Sequence, residues 1–214
     1  MKHPLIIFDW DGTLMDSIDK IVLCMQQAAE NQQQIVPTEQ AVKNIIGLSL
    51  LKAMQQLFPS LLLTQQELLV EAYREQYNSM HHIETPFYDG IAELLINLKA
   101  KGYILAVATG KGRNGLNRMM QKTNTEHLFS ATICADESNS KPDPLMIHSL
   151  LKKLDFCPSQ ALMIGDSSYD LDMAANAGVK SLGVSYGVHG REKLMLSNPV
   201  AVVDCLVSQL DRYI

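Results

Sequence analysis

IIFDWDGTLMDS, residues 6–17, begins as an apolar run and stops abruptly at two aspartates, Asp9 and Asp11, with the only tryptophan of the chain, Trp10, between them. Residues 4–8, PLIIF, read as a buried strand. Two carboxylates crowded at a strand end repel each other unless something takes up their charge. The question posed by the sequence is therefore what Asp9 and Asp11 hold.

Downstream of Asp16 the period changes. Ile18, Ile21, Val22, Met25, Ala28 and Ala29 share one face of a helix running to about Gln33. Further helices are expected from Thr38 to Ile46, from Ser49 to Phe58, and from Thr64 to about His81. TQQE at residues 64–67 reads as a capping box closed by Glu67. Asp16 is the expected cap of the first of these helices. The character changes again at ETPFYDG, residues 84–90. Helices then alternate with apolar strands, at residues 103–109, 131–135, 161–165, 181–185 and 200–203. Such strands, apolar along their whole length, indicate a parallel sheet covered on both faces. The fold class is α/β, a doubly wound parallel sheet. Residues 1–15 and 84–214 form the sheet domain, and residues 16–83 are an inserted all-helical segment.

Ligands of an open parallel sheet bind beyond the carboxyl ends of its strands. Strand 103–109 ends at Thr109, followed by Gly110 and Lys111. Strand 131–135 leads to Lys141, and strand 161–165 to Asp166 and Asp170. Each of these strand ends carries a carboxylate, hydroxyl or ammonium, as the end of the first strand does.

Composition narrows the class of ligand. The chain has 214 residues, 47% hydrophobic and 19% charged, with a net charge of −5 from 18 basic and 23 acidic residues. Bulk attraction to nucleic acid or to an anionic membrane is therefore not expected. No apolar run approaches the roughly 20 residues of a membrane span. The N-terminal run is too short for a secretion signal. Cys24, Cys134, Cys157 and Cys205 have neither zinc nor CxxC spacing. They read as reduced and mostly buried, in a cytoplasmic protein.

DWDGT, ATGK, KPDP and GDSSYDLDMAANAG resemble, in order, the four motifs of the haloacid dehalogenase superfamily. The helical insert matches the position of that superfamily's first cap type, and the nearest branch is the phosphoglycolate-phosphatase-like one. The resemblance implies Mg²⁺-dependent hydrolysis of a small phosphorylated metabolite. Asp9 is then the nucleophile and Asp11 the general acid and base. Thr109, Gly110 and Lys141 meet the phosphate, with Lys111 a rival for that place. Asp9, the Asp11 carbonyl, Asp166 and Asp170 hold the metal. Four aspartates and a phosphate dianion outnumber the three positive charges of Mg²⁺ and Lys141. That surplus favours a proton on one carboxyl, and a general acid requires it on Asp11. Gly12 would let the backbone approach the phosphate.

Specificity is expected from the cap. IIGLSL, residues 45–50, offers Gly47 and Ser49, with Lys52, Lys43 and Arg113 as further candidates. The cap should close over the site, hinging at Leu14–Ser17 and Ile83–Phe87. A sugar phosphomutase of the same superfamily is the alternative enzyme. A non-catalytic phosphate-binding or signalling module is the alternative of another class. Nothing in the sequence points to an oligomeric state.

Overall fold

The computed structural model describes residues 2–214. One sheet is built from β1 (Leu5–Phe8), β2 (Ile104–Ala108), β3 (Ala131–Ile133), β4 (Ala161–Gly165), β5 (Lys180–Val184) and β6 (Ala201–Val203). The strand order is β3-β2-β1-β4-β5-β6, and all pairings are parallel. This is the doubly wound sheet expected from the sequence. The order reverses at β1, so a crevice opens beyond its carboxyl end. Phe8 lies beside Val107 on one side and Ile164 on the other. Asp9, Thr109 and Asp166, which follow these three strands closely, are thereby brought to the crevice.

Helices α1 (Ile18–Asn31), α2 (Glu39–Lys43), α3 (Leu50–Leu57) and α4 (Leu63–Ser79) intervene between β1 and the rest of the sheet. They share a core of their own, including Ile21, Met25, Val42, Met54 and Leu69. The sequence places all four, with two local differences. The start of α4 lies earlier than TQQE suggests: Leu62 N–H donates to Oε1 of Gln65 at 3.0 Å, and because leucine offers no side-chain acceptor in return, only half of a capping box forms there. Asp16 is exposed and does not cap α1. Ser17 occupies the cap position, and its hydroxyl points to Asp11 instead.

Six helices cover the sheet or close its ends: α5 (Ile91–Ala100), α6 (Arg113–Thr123), α7 (Leu145–Leu154), α8 (Ser168–Asn176), α9 (Arg191–Met195) and α10 (Leu206–Gln209). Strand alternation divides β1 between two cores. Ile6 and Phe8 pack with Leu95 and Leu98 of α5, Leu116 of α6 and Leu206 of α10. Leu5 and Ile7 pack with Met146, Ile147 and Leu150 of α7 and Met173 of α8. Trp10 is fully buried, edge-on to Phe87 and Phe129 at 5.9 and 6.0 Å between ring centroids, and so anchors the loop after β1 by packing. Cys24 and Cys134 are buried as expected, whereas Cys157 and Cys205 are exposed.

The two chain crossings between sheet and insert are less free than hinges require. Leu14, Met15 and Ser17 are buried. Tyr88 N–H donates to the Leu14 carbonyl at 3.0 Å, Asp16 N–H donates to that of Pro86 at 2.8 Å, and Met15 bridges to Phe87. These bonds count against bending at Leu14, Met15 and Phe87. The exposed residues of the crossings are Asp16, Glu84 and Pro86.

Burial of Ile7 against both sheet neighbours and α7 makes it a fixed point of the fold. Ile7→Ala is expected to cost about 2–5 kcal/mol, the usual range for emptying a well-packed core site. Ile96, 54% exposed on α5, is the matched control, and its replacement by Ala should cost under about 0.5 kcal/mol. Urea unfolding of the two variants measures both.

Candidate functional site

The carboxyl ends of β1 and β4 and the segment after β3 converge on one buried ammonium. Lys141 Nζ donates to Asp9 Oδ1 at 2.7 Å and to Asp170 Oδ1 at 2.5 Å, and none of its side chain is exposed. Burial opposes the charge on Lys141, but Asp170 and Asp9 outweigh it and hold the ammonium above the ordinary lysine range. Asp166 completes the cluster. One carboxylate oxygen from each of Asp9, Asp166 and Asp170 lies within 4.8 Å of the others.

Each of these carboxylates is positioned by its element. Asp9 follows β1, and its N–H donates to the Ile164 carbonyl at 2.9 Å. Its Oδ1 is taken by Lys141, and Oδ2 has no hydrogen-bond partner among the described residues. Asp166 follows β4, where Oδ1 accepts from the Thr13 hydroxyl and Oδ2 from Val188 N–H, both at 2.8 Å. Asp170 sits in the first turn of α8. Its Oδ2 accepts from the Ser167 N–H at 3.1 Å and hydroxyl at 2.6 Å, so it caps that helix and holds Lys141 at once. Gly12 has φ +82°, and a Cβ there would fall 2.3 Å from Asp166 Oδ2. In this structure, what the glycine admits to the turn is the Asp166 carboxylate.

Crowding has an electrostatic consequence. Burial, and then the Asp170 and Asp166 charges, push Asp9 well above the usual carboxylate range against the pull of Lys141. Burial and Asp170 push Asp166 up to about 7, although Val188 N–H and Thr13 pull it down. One ammonium does not neutralise three carboxylates, and hard oxygen donors around a charge deficit suit a small divalent cation.

Asp11 has different neighbours from those the sequence assigns it. Lys111 Nζ lies 2.9 Å from Oδ2, and the Ser17 hydroxyl donates to Oδ1 at 2.7 Å. The charge count made from the sequence omits Lys111, so the positive side was one short. Burial works against the Lys111 ammonium, yet Asp11 and Tyr77 hold it above the ordinary lysine range. Thr109 is buried and accepts Lys111 N–H on its hydroxyl oxygen at 3.1 Å, which leaves its own proton free to donate.

A cavity of about 840 Å³ separates this cluster from the insert, and Asp9, Asp11, Thr109, Gly110 and Lys111 line its floor. Tyr73 and Tyr77 of α4 and the 45–51 loop form the opposite wall. Among the specificity candidates, Gly47 and Ser49 belong to that wall. The remainder lie elsewhere. Lys52 is exposed and lines a shallow groove beside Asn139 and Asp143. Lys43 pairs with Glu39 along α2. Arg113 is absorbed by Glu137, at 2.6 Å, and by Thr132, so it staples the start of α6 to the end of β3. A charged residue at a helix start looks like a ligand in sequence, but partners supplied by tertiary structure consume it. Thr13, Ser17, Tyr77 and Val188 are site residues that the sequence reading did not single out. Thr13 and Ser17 stood inside the opening stretch. Tyr77 and the Val188 backbone carry no local signal.

The insert also touches the sheet loops directly. Ser49 N–H donates to the Ser140 hydroxyl at 2.9 Å, and the Tyr169 hydroxyl donates to the Asn44 carbonyl at 3.0 Å. A Cβ at Gly110 would fall 2.6 Å from the carbonyl oxygens of both Gly47 and Leu48. Gly110 is therefore a point of close approach between the insert and the sheet backbone.

Known proteins resemble this chain over most of its length. The haloacid dehalogenase-like hydrolase model matches residues 6–184, and the chain belongs to that family. It is 31% identical over 219 residues to a phosphoglycolate phosphatase of Vibrio cholerae, covering 97% of this chain and 95% of that one. It is 30% identical over 204 residues to the pyrophosphatase PpaX of Listeria innocua, covering 92% and 90%. A crystal structure of a predicted phosphoglycolate phosphatase from Haemophilus somnus superposes with a TM-score of 0.89 at 26% identity, covering 99% and 98%.

Gly110→Ala is expected to push the 47–48 loop off the sheet, because the clash is with backbone that cannot rotate away. Amide hydrogen exchange at residues 47–49 should then accelerate. Gly190→Ala is the control, because a Cβ there meets nothing within 4 Å. Equal exchange in the two variants would remove the close approach from the account.

Proposed function

We propose that the protein is a Mg²⁺-dependent phosphatase acting on a small phosphorylated metabolite, through an aspartyl-phosphate intermediate. The observation that carries this reading is Asp9, with one carboxylate oxygen held by Lys141 and the other unpartnered at the floor of the cavity. The names of the relatives, a phosphoglycolate phosphatase and a pyrophosphatase, support the same class of compound.

In the proposed reaction Asp9 Oδ2 attacks phosphorus. The bond from phosphorus to the leaving oxygen breaks, and that oxygen takes a proton from Asp11, which is the ionised partner of Lys111 in the free protein and must first gain that proton from solvent as the phosphate dianion enters. In the second half Asp11 takes a proton from water, the water oxygen bonds to phosphorus, and the acyl phosphate bond to Asp9 breaks. Thr109 donates its free hydroxyl proton to a phosphate oxygen. Lys141 holds Asp9 in line and offsets the charge of the transferring group. Gly110 admits the insert, which would act as a cap that excludes water from the intermediate. Asp9, Asp166 and the Asp11 carbonyl would hold Mg²⁺, with Asp170 supporting from behind through Lys141 and Ser167. The cation supplies charge neutralisation and polarisation of the phosphoryl oxygens.

Two tests follow. Asp9→Asn should abolish phosphate release from a generic aryl phosphate, by about a thousandfold or more, as expected when the nucleophile is lost. Turnover undiminished in that variant would end the mechanism. The metal assignment has a readout apart from activity. Asp9 and Asp166 titrate higher folded than unfolded, with Asp166 near 7. The Asp166 contribution to stability is thus present below the unfolded carboxylate range and is lost as pH rises through about 7, and the raised Asp9 carboxyl acts in the same direction. Mg²⁺ competes with those protons. The rise in Tm on adding Mg²⁺ should be larger at pH 8 than at pH 5.5. A shift independent of pH would place the cation elsewhere.

A further inference from the structure

Residues 185–189 follow β5 and close on Asp166 from three directions. Val188 N–H donates to its Oδ2 at 2.8 Å, and His189 N–H donates to its carbonyl oxygen at 3.1 Å. A Cβ at Gly187 would fall 2.2 Å from the Asp166 Cβ, so the loop backbone is pressed directly on that side chain. His189 is buried and also accepts the Ser168 N–H on Nδ1 at 2.9 Å. Ser168 opens α8, the helix that carries Asp170.

Tyr186 extends the same grip to the other side of the carboxylate. Its hydroxyl donates to the Thr13 carbonyl at 2.8 Å, and the Thr13 hydroxyl in turn donates to Asp166 Oδ1 at 2.8 Å. The Tyr186 ring packs on that of Tyr88, 4.6 Å between centroids, and Tyr88 N–H is bonded to the Leu14 carbonyl. Tyr186 thus holds the turn after β1 at two adjacent residues. That turn supplies both the Thr13 hydroxyl and the Asp11 carbonyl. Groups that fix the orientation of a metal-binding carboxylate commonly account for about ten- to a hundredfold in metal affinity. Tyr186 does not line the cavity, so it contributes without touching a substrate.

We propose that Tyr186 is a positioning residue for the metal: by bonding the Thr13 carbonyl it fixes the turn after β1, so that Thr13 aims Asp166 at the cation. The inference rests on the Mg²⁺ site of the phosphatase reading and adds a residue to it. Asp166 is then held from both sides by one loop, through the Val188 N–H on Oδ2 and through Tyr186 and Thr13 on Oδ1.

Calorimetry of Mg²⁺ binding to the full chain tests this without turnover. Tyr186→Phe keeps the ring, removes the hydroxyl and should raise the Kd for Mg²⁺ by about three- to tenfold. Ser185→Ala removes a hydroxyl of the same loop, one bonded to the Val203 carbonyl and the Asp204 carboxylate, and should leave that Kd unchanged. Thr13→Val should raise the Kd at least as much as Tyr186→Phe. The double variant should match Thr13→Val alone, because the two residues act in series. Phenyl phosphate turnover by Tyr186→Phe should fall at limiting Mg²⁺ and recover at saturating Mg²⁺, with the KM for the ester unchanged. Tyr186→Leu serves if Tyr186→Phe does not fold. An unchanged Kd in folded Tyr186→Phe, equal weakening in Ser185→Ala, or additive effects of the Tyr186 and Thr13 substitutions overturns the positioning role. Absence of Mg²⁺ binding by the wild-type protein would overturn the metal assignment and this role with it. Mg²⁺ binding without phosphate release from any ester would overturn the phosphatase reading alone, and the same Kd values would still decide the role of Tyr186.

Discussion

Lys141 is the group on which the site depends. Three carboxylates are buried within 4.8 Å of one another, and each would be driven out of the interior if left uncompensated. Lys141 bonds two of them, Asp9 and Asp170, and so ties the end of β1 to the start of α8 across the crevice. Removing it would leave buried charge with no partner, a loss that commonly costs about 3–5 kcal/mol. The parallel sheet makes this arrangement possible. Because the strand order reverses at β1, its two neighbours deliver Thr109 and Asp166 to the same crevice.

The second constraint is the close seating of the insert. Gly110 leaves no room for a side chain beneath the carbonyls of Gly47 and Leu48. The crossings at Leu14–Met15 and Phe87–Tyr88 are bonded to each other and continuous with the core. Any motion of the insert against the sheet would therefore have to be taken up at the few exposed crossing residues and at the 44–49 contacts with Ser140 and Tyr169. Those contacts are single hydrogen bonds, individually worth only about 0.5–1.5 kcal/mol, so they can break without disturbing the sheet.

Much of this was legible in the sequence, for a physical reason. The strands are apolar at nearly every position, Thr132, Lys180 and Ser181 excepted, because both faces of the sheet are covered, and a polar residue at their carboxyl ends is conspicuous against that background. Asp9, Thr109 and Asp166 stood out in this way, and the structure brings them together. Lys141 lies in the loop that follows β3, where the strand-end pattern and the motif resemblance both pointed to it. What the sequence did not reveal is partnership. Arg113 and Lys52 have the chemistry of phosphate ligands, but Glu137 and Thr132 consume the first and solvent surrounds the second. Tyr77 was invisible because its role depends on where α4 is laid over the sheet, which no local pattern encodes.

Lys111 shows what such a partnership changes. From sequence it competes with Lys141 for one phosphate, and the two appear interchangeable. Folded, they are separated by charge assignment: Lys141 answers Asp9 and Asp170, and Lys111 answers Asp11. Each proposed catalytic carboxylate thus has its own ammonium. An ammonium bound to Asp9 steadies an oxygen that never leaves the protein. An ammonium bound to Asp11 instead holds the turn after β1 to the loop after β2. The two lysines are therefore not interchangeable: removing either one leaves a different buried aspartate without its partner.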